Sequence, residues 1–110
     1  MTATWDEFER LRLTIGVITG VEDFPEARNP AYKLTIDLGP KVGTRRSSAQ
    51  LTHYAKEALL GRQVVCVCGF GPKRIAGFPS EVLVLGAYSA DHGVVLLQPD
   101  RDVASGSAVG

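Results

Sequence analysis

The sequence is short of nearly everything that catalysis and membrane insertion use. Its 110 residues hold two histidines, two cysteines, one tryptophan and one methionine. Its longest apolar runs are about five residues, against the ~20 that a bilayer-spanning helix requires, so membrane insertion is not expected. After Met1 the chain is polar and acidic through Glu9. No basic segment leads into an apolar one, so nothing reads as a targeting signal and a cytoplasmic location is expected. Net charge is missing too. Twelve basic residues balance twelve acidic ones, which removes the overall compositional argument for a nucleic-acid binder.

The scarce reactive residues are also badly placed for chemistry. Cys66 and Cys68 lie two apart in a β-rich stretch, so both point to one face beside Val64, where a local disulfide would be strained. Two thiols do not complete a zinc site, and His53 and His92 are distant in sequence. Buried free thiols and no metal are the expectation. Ser47 and Ser48 lack a nucleophile elbow, and Gly69-Phe70-Gly71 runs into Pro72 rather than a helix, so neither a P-loop nor a dinucleotide fingerprint is present. His53 falls near a helix start, and Asp91-His92-Gly93 reads as a turn. The sequence therefore predicts no catalytic residues, no cofactor and no enzyme activity.

What the sequence does contain is a core. Hydrophobic residues make up 45% of the chain, enough for one domain of ordinary size. Residues 5–12 read as a short helix, with Trp5, Phe8 and Leu11 at three-residue spacing and acidic residues in the first turn. Trp5 and Phe8 suit either of two roles, sealing one end of a barrel or anchoring an interface. Leu13–Val21 alternates as a strand, with Gly16 and Gly20 marking a coil or bulge. A loop over 23–30 leads to a cleanly alternating strand at 32–38, a turn at 39–43 and a third strand at Thr44–Ala49. Gln50–Leu60 reads as a helix capped by Thr52 and stopped by Gly61. Strands follow at 63–68, 81–87 and 93–97, with a loop over 69–79. The expected fold is all-β: a five-stranded OB-fold barrel with a short N-terminal helix, a helix between strands 3 and 4, and extra C-terminal strands. A split α/β sheet is disfavoured because only the 50–60 helix is long enough to cross a sheet, and only once.

Neutral overall, the chain is not neutral locally. Residues 28–74 hold nine basic side chains and two acidic ones, a net +7, flanked by segments of −4 and −3. Gathered on one side, the central block would form a positive face able to attract a polyanion; the same blocks are equally compatible with folding onto unrelated faces. Arg45, Arg46, Ser47 and Ser48 on the third strand, with Lys73 and Arg74 in the 69–79 loop, are the candidate RNA contacts. Adjacent arginines on a strand point to opposite faces, so one of the pair reaches a given ligand. The aromatics Phe24, Tyr32, Phe70, Phe78 and Tyr88 include candidates for base stacking. The first four are also candidate walls of an apolar, peptide-binding groove.

Several long stretches carry a family resemblance. They are VEDFPEAR (21–28), PAYKLTID (30–37), RSSAQ (46–50), LGRQVV (60–65), IAGF (75–78), SEVLVLG (80–86) and LLQPD (96–100). Together they resemble the tRNA-binding domain family, which includes appendages of methionyl- and phenylalanyl-tRNA synthetases. Within it they resemble the subgroup of CsaA-type, secretion-associated chaperones. The resemblance runs from Trp5 to about Val103. It implies an OB-fold homodimer joined through its terminal segments, with Trp5, Phe8, Leu96, Leu97 and Val103 as interface candidates. It implies unfolded or exported polypeptides as partners in a hydrophobic pocket, and tRNA as the alternative ligand. One departure stands out: the subgroup's usual Asn-Phe-Pro-Pro is here Gly69-Phe70-Gly71-Pro72. Gly69 has no side chain to offer RNA, whereas Phe70 is retained.

Overall fold

The computed structural model describes residues 1–110. Helix α1 (Trp5–Leu11) opens on a capping box. Thr4 Oγ1 accepts from the Glu7 amide at 3.2 Å and Glu7 Oε1 accepts from the Thr4 amide at 2.8 Å, so two otherwise orphaned donors are satisfied. It ends at Arg12 in the left-handed region. None of its residues is buried and Trp5 is 85% exposed. The helix does not seal the barrel, and Trp5 and Phe8 lie exposed.

Strands β1 (Leu13–Asp23), β2 (Tyr32–Asp37) and β3 (Thr44–Ala49) follow, with a single helical turn, α2 (Gly39–Val42), between the last two. The register of β1 shifts between Ile18 and Gly20. This bulge lets one long strand serve two partners. Its second half pairs with β2, and its first half with β4 (Gln63–Val67), which lies beyond the short helix α3 (Lys56–Leu59). After the hairpin β5 (Lys73–Ile75) and β6 (Phe78–Ser80), strand β7 (Leu83–Val84) joins β4. The antiparallel order β3-β2-β1-β4-β7 is a nearly closed OB-fold barrel. A second hairpin, β8 (Gly86–Ser89) and β9 (Gly93–Leu96), supplies the extra C-terminal strands.

Alternation along β2 places Tyr32, Leu34 and Ile36 inside, where they meet Ile18, Val64 and Cys66. A Cβ at Gly16 would lie 2.8 Å from Leu38 Cδ2, so this glycine lets core side chains pass directly against β1. The final residues complete the β1 edge. Ile15 donates to Ser107 O (2.9 Å) and Val109 donates to Leu13 O (3.0 Å).

Three local expectations are corrected. The 50–60 segment is helical only over Lys56–Leu59, and its N-cap is Ala55 rather than Thr52. Leu51 is drawn into the core, its amide bonded to Ala49 O and its carbonyl to the Tyr54 amide. Tyr32 donates its hydroxyl hydrogen to Tyr54 O at 2.9 Å. Burial of Leu51 and the long-range Tyr32–Tyr54 bond override a weak local helix propensity. The 69–79 loop contains the β5–β6 hairpin. The single 81–87 strand breaks at Leu85, where the partner changes from β4 to β9.

Candidate binding cleft and charged face

The barrel is held along its last seam by side chains more than by a ladder. At one end Glu81 donates its amide hydrogen to Arg46 O (2.8 Å), and the Arg46 amide donates to Glu81 Oε1 (2.9 Å). Ser47 is fully buried and its hydroxyl donates to Val82 O (2.8 Å). The Ser48 amide donates to Ser80 Oγ (2.9 Å). Beyond the Glu81–Arg46 backbone bond, side chains rather than a backbone ladder join β3 to residues 80–82. A cleft of about 720 Å³ occupies the opening, and 12 of its 20 lining residues are hydrophobic. Val82, Val84, Leu51, Phe70, Tyr88 and Leu96 are among its apolar lining. Phe70 is 51% exposed and Tyr88 is 93% exposed. Two large rings at the mouth of an apolar cleft are available to a ligand at little desolvation cost.

The residues expected from sequence separate into four groups. Phe70, Ser48, Lys73 and Leu96 line the cleft. Phe24 and Tyr32 are buried. Phe24 meets Phe78 edge to face at 5.4 Å, and Lys33 Nζ lies 4.8 Å from the Phe24 ring and 5.2 Å from the Phe78 ring. Arg46 stacks on Phe78 at 5.1 Å and pairs with Glu22 at 2.6 Å. This aromatic and cationic cluster is separate from the cleft lining. Arg45 donates to Thr44 O (3.1 Å), and Arg74 donates to Gly77 O (2.9 Å) inside the hairpin turn. Trp5, Phe8, Leu97 and Val103 are exposed near the two ends of the chain.

Arg28, Val82, Val84 and Val94 also line the cleft and were not singled out from sequence. Val82 and Val84 carried a signal, since β-branched residues two apart share one face. Arg28 carried none, because its place depends on how the 24–31 loop folds. Cys66 and Cys68 hold free thiols. Burial, with Cys68 nearby, pushes the Cys66 thiol up to about 12, so it is not a nucleophile near neutral pH. No three His, Cys, Asp or Glu side chains come together as a metal site.

An OB barrel with an apolar cleft in its open seam and a positive central segment defines a binding module. The family model "Putative tRNA binding domain" matches residues 13–108. The chain superimposes on CsaA chaperone protein from Picrophilus torridus with a TM-score of 0.94 and 44% identity, covering 99% of this chain and 100% of that one. Chaperone CsaA from Bacillus anthracis gives 0.91 and 47% identity over 100% of both chains. Methionine–tRNA ligase from Pyrococcus abyssi is 36% identical over 109 residues, which are 99% of this chain but 15% of the ligase. The chain thus spans about a seventh of the length of the ligases it matches. It belongs to the tRNA-binding domain family and is a CsaA-like, chaperone-like OB-fold protein.

Proposed function

We propose that this protein is a cytoplasmic, homodimeric chaperone that holds unfolded or extended polypeptide segments in the cleft between β3 and residues 80–84. The observation that carries this reading is the cleft itself. Its volume lies within the ~300–1,000 Å³ range of ligand sites, and most of its lining is hydrophobic. The full-length likeness to two proteins named as CsaA chaperones supports it. Titration with unfolded exported polypeptides is expected to give saturable binding. Phe70→Ala should weaken that binding by about tenfold, in line with loss of an interface aromatic, without lowering the melting temperature. Absence of saturable binding ends this reading.

A second reading rests on charge. Arg28, Arg45, Lys73 and Arg74 have no carboxylate within ion-pair distance, so their charges are available to phosphates. The matched family supports tRNA as the polyanion. Binding is expected to be weak and to fall with salt, and each lost phosphate contact should lower the salt slope by about one. Binding that is indifferent to salt excludes this mechanism.

A further inference from the structure

The seam also indicates how the cleft grips its ligand. We infer that an extended polypeptide pairs through its own backbone with the open end of β3 at Ser48–Gln50, adding a strand at the edge of the gap. This rests on the peptide reading of the cleft. Along β3, Arg46 and Ser48 turn their backbone groups away from β2 and toward residues 80–82. At Arg46 both groups are satisfied by Glu81. Two residues on, only a side chain arrives: Ser80 Oγ accepts from the Ser48 amide, and no group of the chain pairs with Ser48 O or with the backbone of Gln50. The strand stops there because the Leu51 amide donates back to Ala49 O (2.9 Å), a tight turn of the kind common at strand ends. Unpaired strand-edge groups are a template for a further strand.

Ser48 and Gln50 lie on the cleft wall, with Val82 and Val84 also lining the same cleft. A strand laid on this edge alternates its side chains, one set entering the apolar cleft and the other facing out. Backbone pairing does not read sequence, which suits a holder of many unfolded segments. Charge narrows the occupant. Arg28 and Lys73 line the cleft without acidic partners, and the one acid there, Glu81, is engaged by the Arg46 amide. The segment that fits is apolar in alternation and carries an acidic side chain in preference to a basic one.

The test uses the full chain and an octapeptide alternating Val and Ser with one Asp, followed by isothermal titration. Gln50→Pro removes an amide that has no partner within the chain, and Gln50→Ala controls for the side chain. Gln50→Pro is expected to weaken binding five- to tenfold, as loss of one hydrogen bond does, and Gln50→Ala by less than twofold. Replacing Asp by Lys in the peptide should weaken binding several-fold. In the wild-type chain the Gln50 amide should exchange more slowly with solvent once peptide is added. That measurement decides the matter should the proline variant fail to fold. Unchanged Gln50 exchange, or equal affinity of wild type and Gln50→Pro, overturns backbone pairing. The cleft reading then stands as long as Phe70→Ala still weakens binding. No saturable binding of the octapeptide to wild type removes both.

Discussion

At Gly69 the absence of a side chain is a packing requirement. A Cβ there would run into Arg10 O and lie 2.8 Å from Leu11 C, and the Gly69 amide donates to Leu11 O (2.8 Å). The end of α1 is laid directly on the backbone at this point. The asparagine usual in CsaA-type sequences therefore cannot be restored here without moving the α1–β1 junction. Gly69→Asn is expected to cost about 1–3 kcal/mol, as overpacking does, measured by urea denaturation, and to bring no gain in tRNA affinity. Cys66 makes a pH prediction. Its thiol is fully buried and its pKa is raised to about 12. Above the ordinary thiol value near ~8.5, the unfolded chain gives up this proton while the folded chain keeps it. The unfolded state then binds fewer protons, so stability falls with rising pH. The expected slope approaches ~1.4 kcal/mol per pH unit between that value and the folded pKa. In Cys66→Ala this part of the alkaline slope should vanish, and a slope equal to that of wild type would refute the assignment.

Among the elements, the C-terminal segment has the least regular structure and a large structural task. Half of β1 has β4 on one side, and its other edge would be open without residues 106–109. Gln63 helps hold the approach to that segment. Its side chain donates to Val103 O (2.6 Å) and accepts from the Val103 amide (3.0 Å), so an amide side chain imitates a strand partner. Gln63→Ala removes both bonds from a partly exposed site. A loss of about 1–2 kcal/mol is expected, together with faster amide exchange at Val103, Gly106 and Val109. Protection that is unchanged at those amides would show that the backbone bonds to β1 suffice alone.

For the whole molecule, the strongest unmet demand is the apolar surface of α1 and the chain's end. Trp5 is almost wholly exposed, and Phe8, Leu97 and Val103 are also exposed. A chain of this length buries a modest share of its surface by itself, and a symmetric partner would cover these residues. Two-fold assembly would also duplicate the cleft and the positive segment, giving one long ligand two points of attachment. Sedimentation equilibrium is expected to show twice the 11.8 kDa chain mass at micromolar concentration. Trp5→Ala combined with Phe8→Ala should weaken association by at least tenfold while leaving the chain folded, since α1 contributes nothing to the core. A mass of one chain for the wild type would overturn the dimer.

Much of the architecture was legible because its cause is local. Strict alternation from Tyr32 to Leu38 needs one buried face, and the structure buries that face. Gly16 and Gly20 foretold an irregular β1, and the register shift falls between Ile18 and Gly20. The spacing of Cys66 and Cys68 with Val64 foretold an inward face, and Cys66 is buried there while Cys68, just past the end of β4, is only half-buried. What escaped the sequence depends on partners far along the chain. The 50–60 segment has helical periodicity, yet Leu51 and Tyr54 are claimed by the core and by Tyr32. Phe24, Phe70 and Phe78 look alike as loop aromatics. Tertiary packing alone buries the first, leaves the second at the cleft and sets the third between Lys33 and Arg46. Composition and period determine which residues must leave water. Where the cleft then lies is decided by the way the barrel fails to close, through side chains that meet only when β3 and residues 80–84 come together.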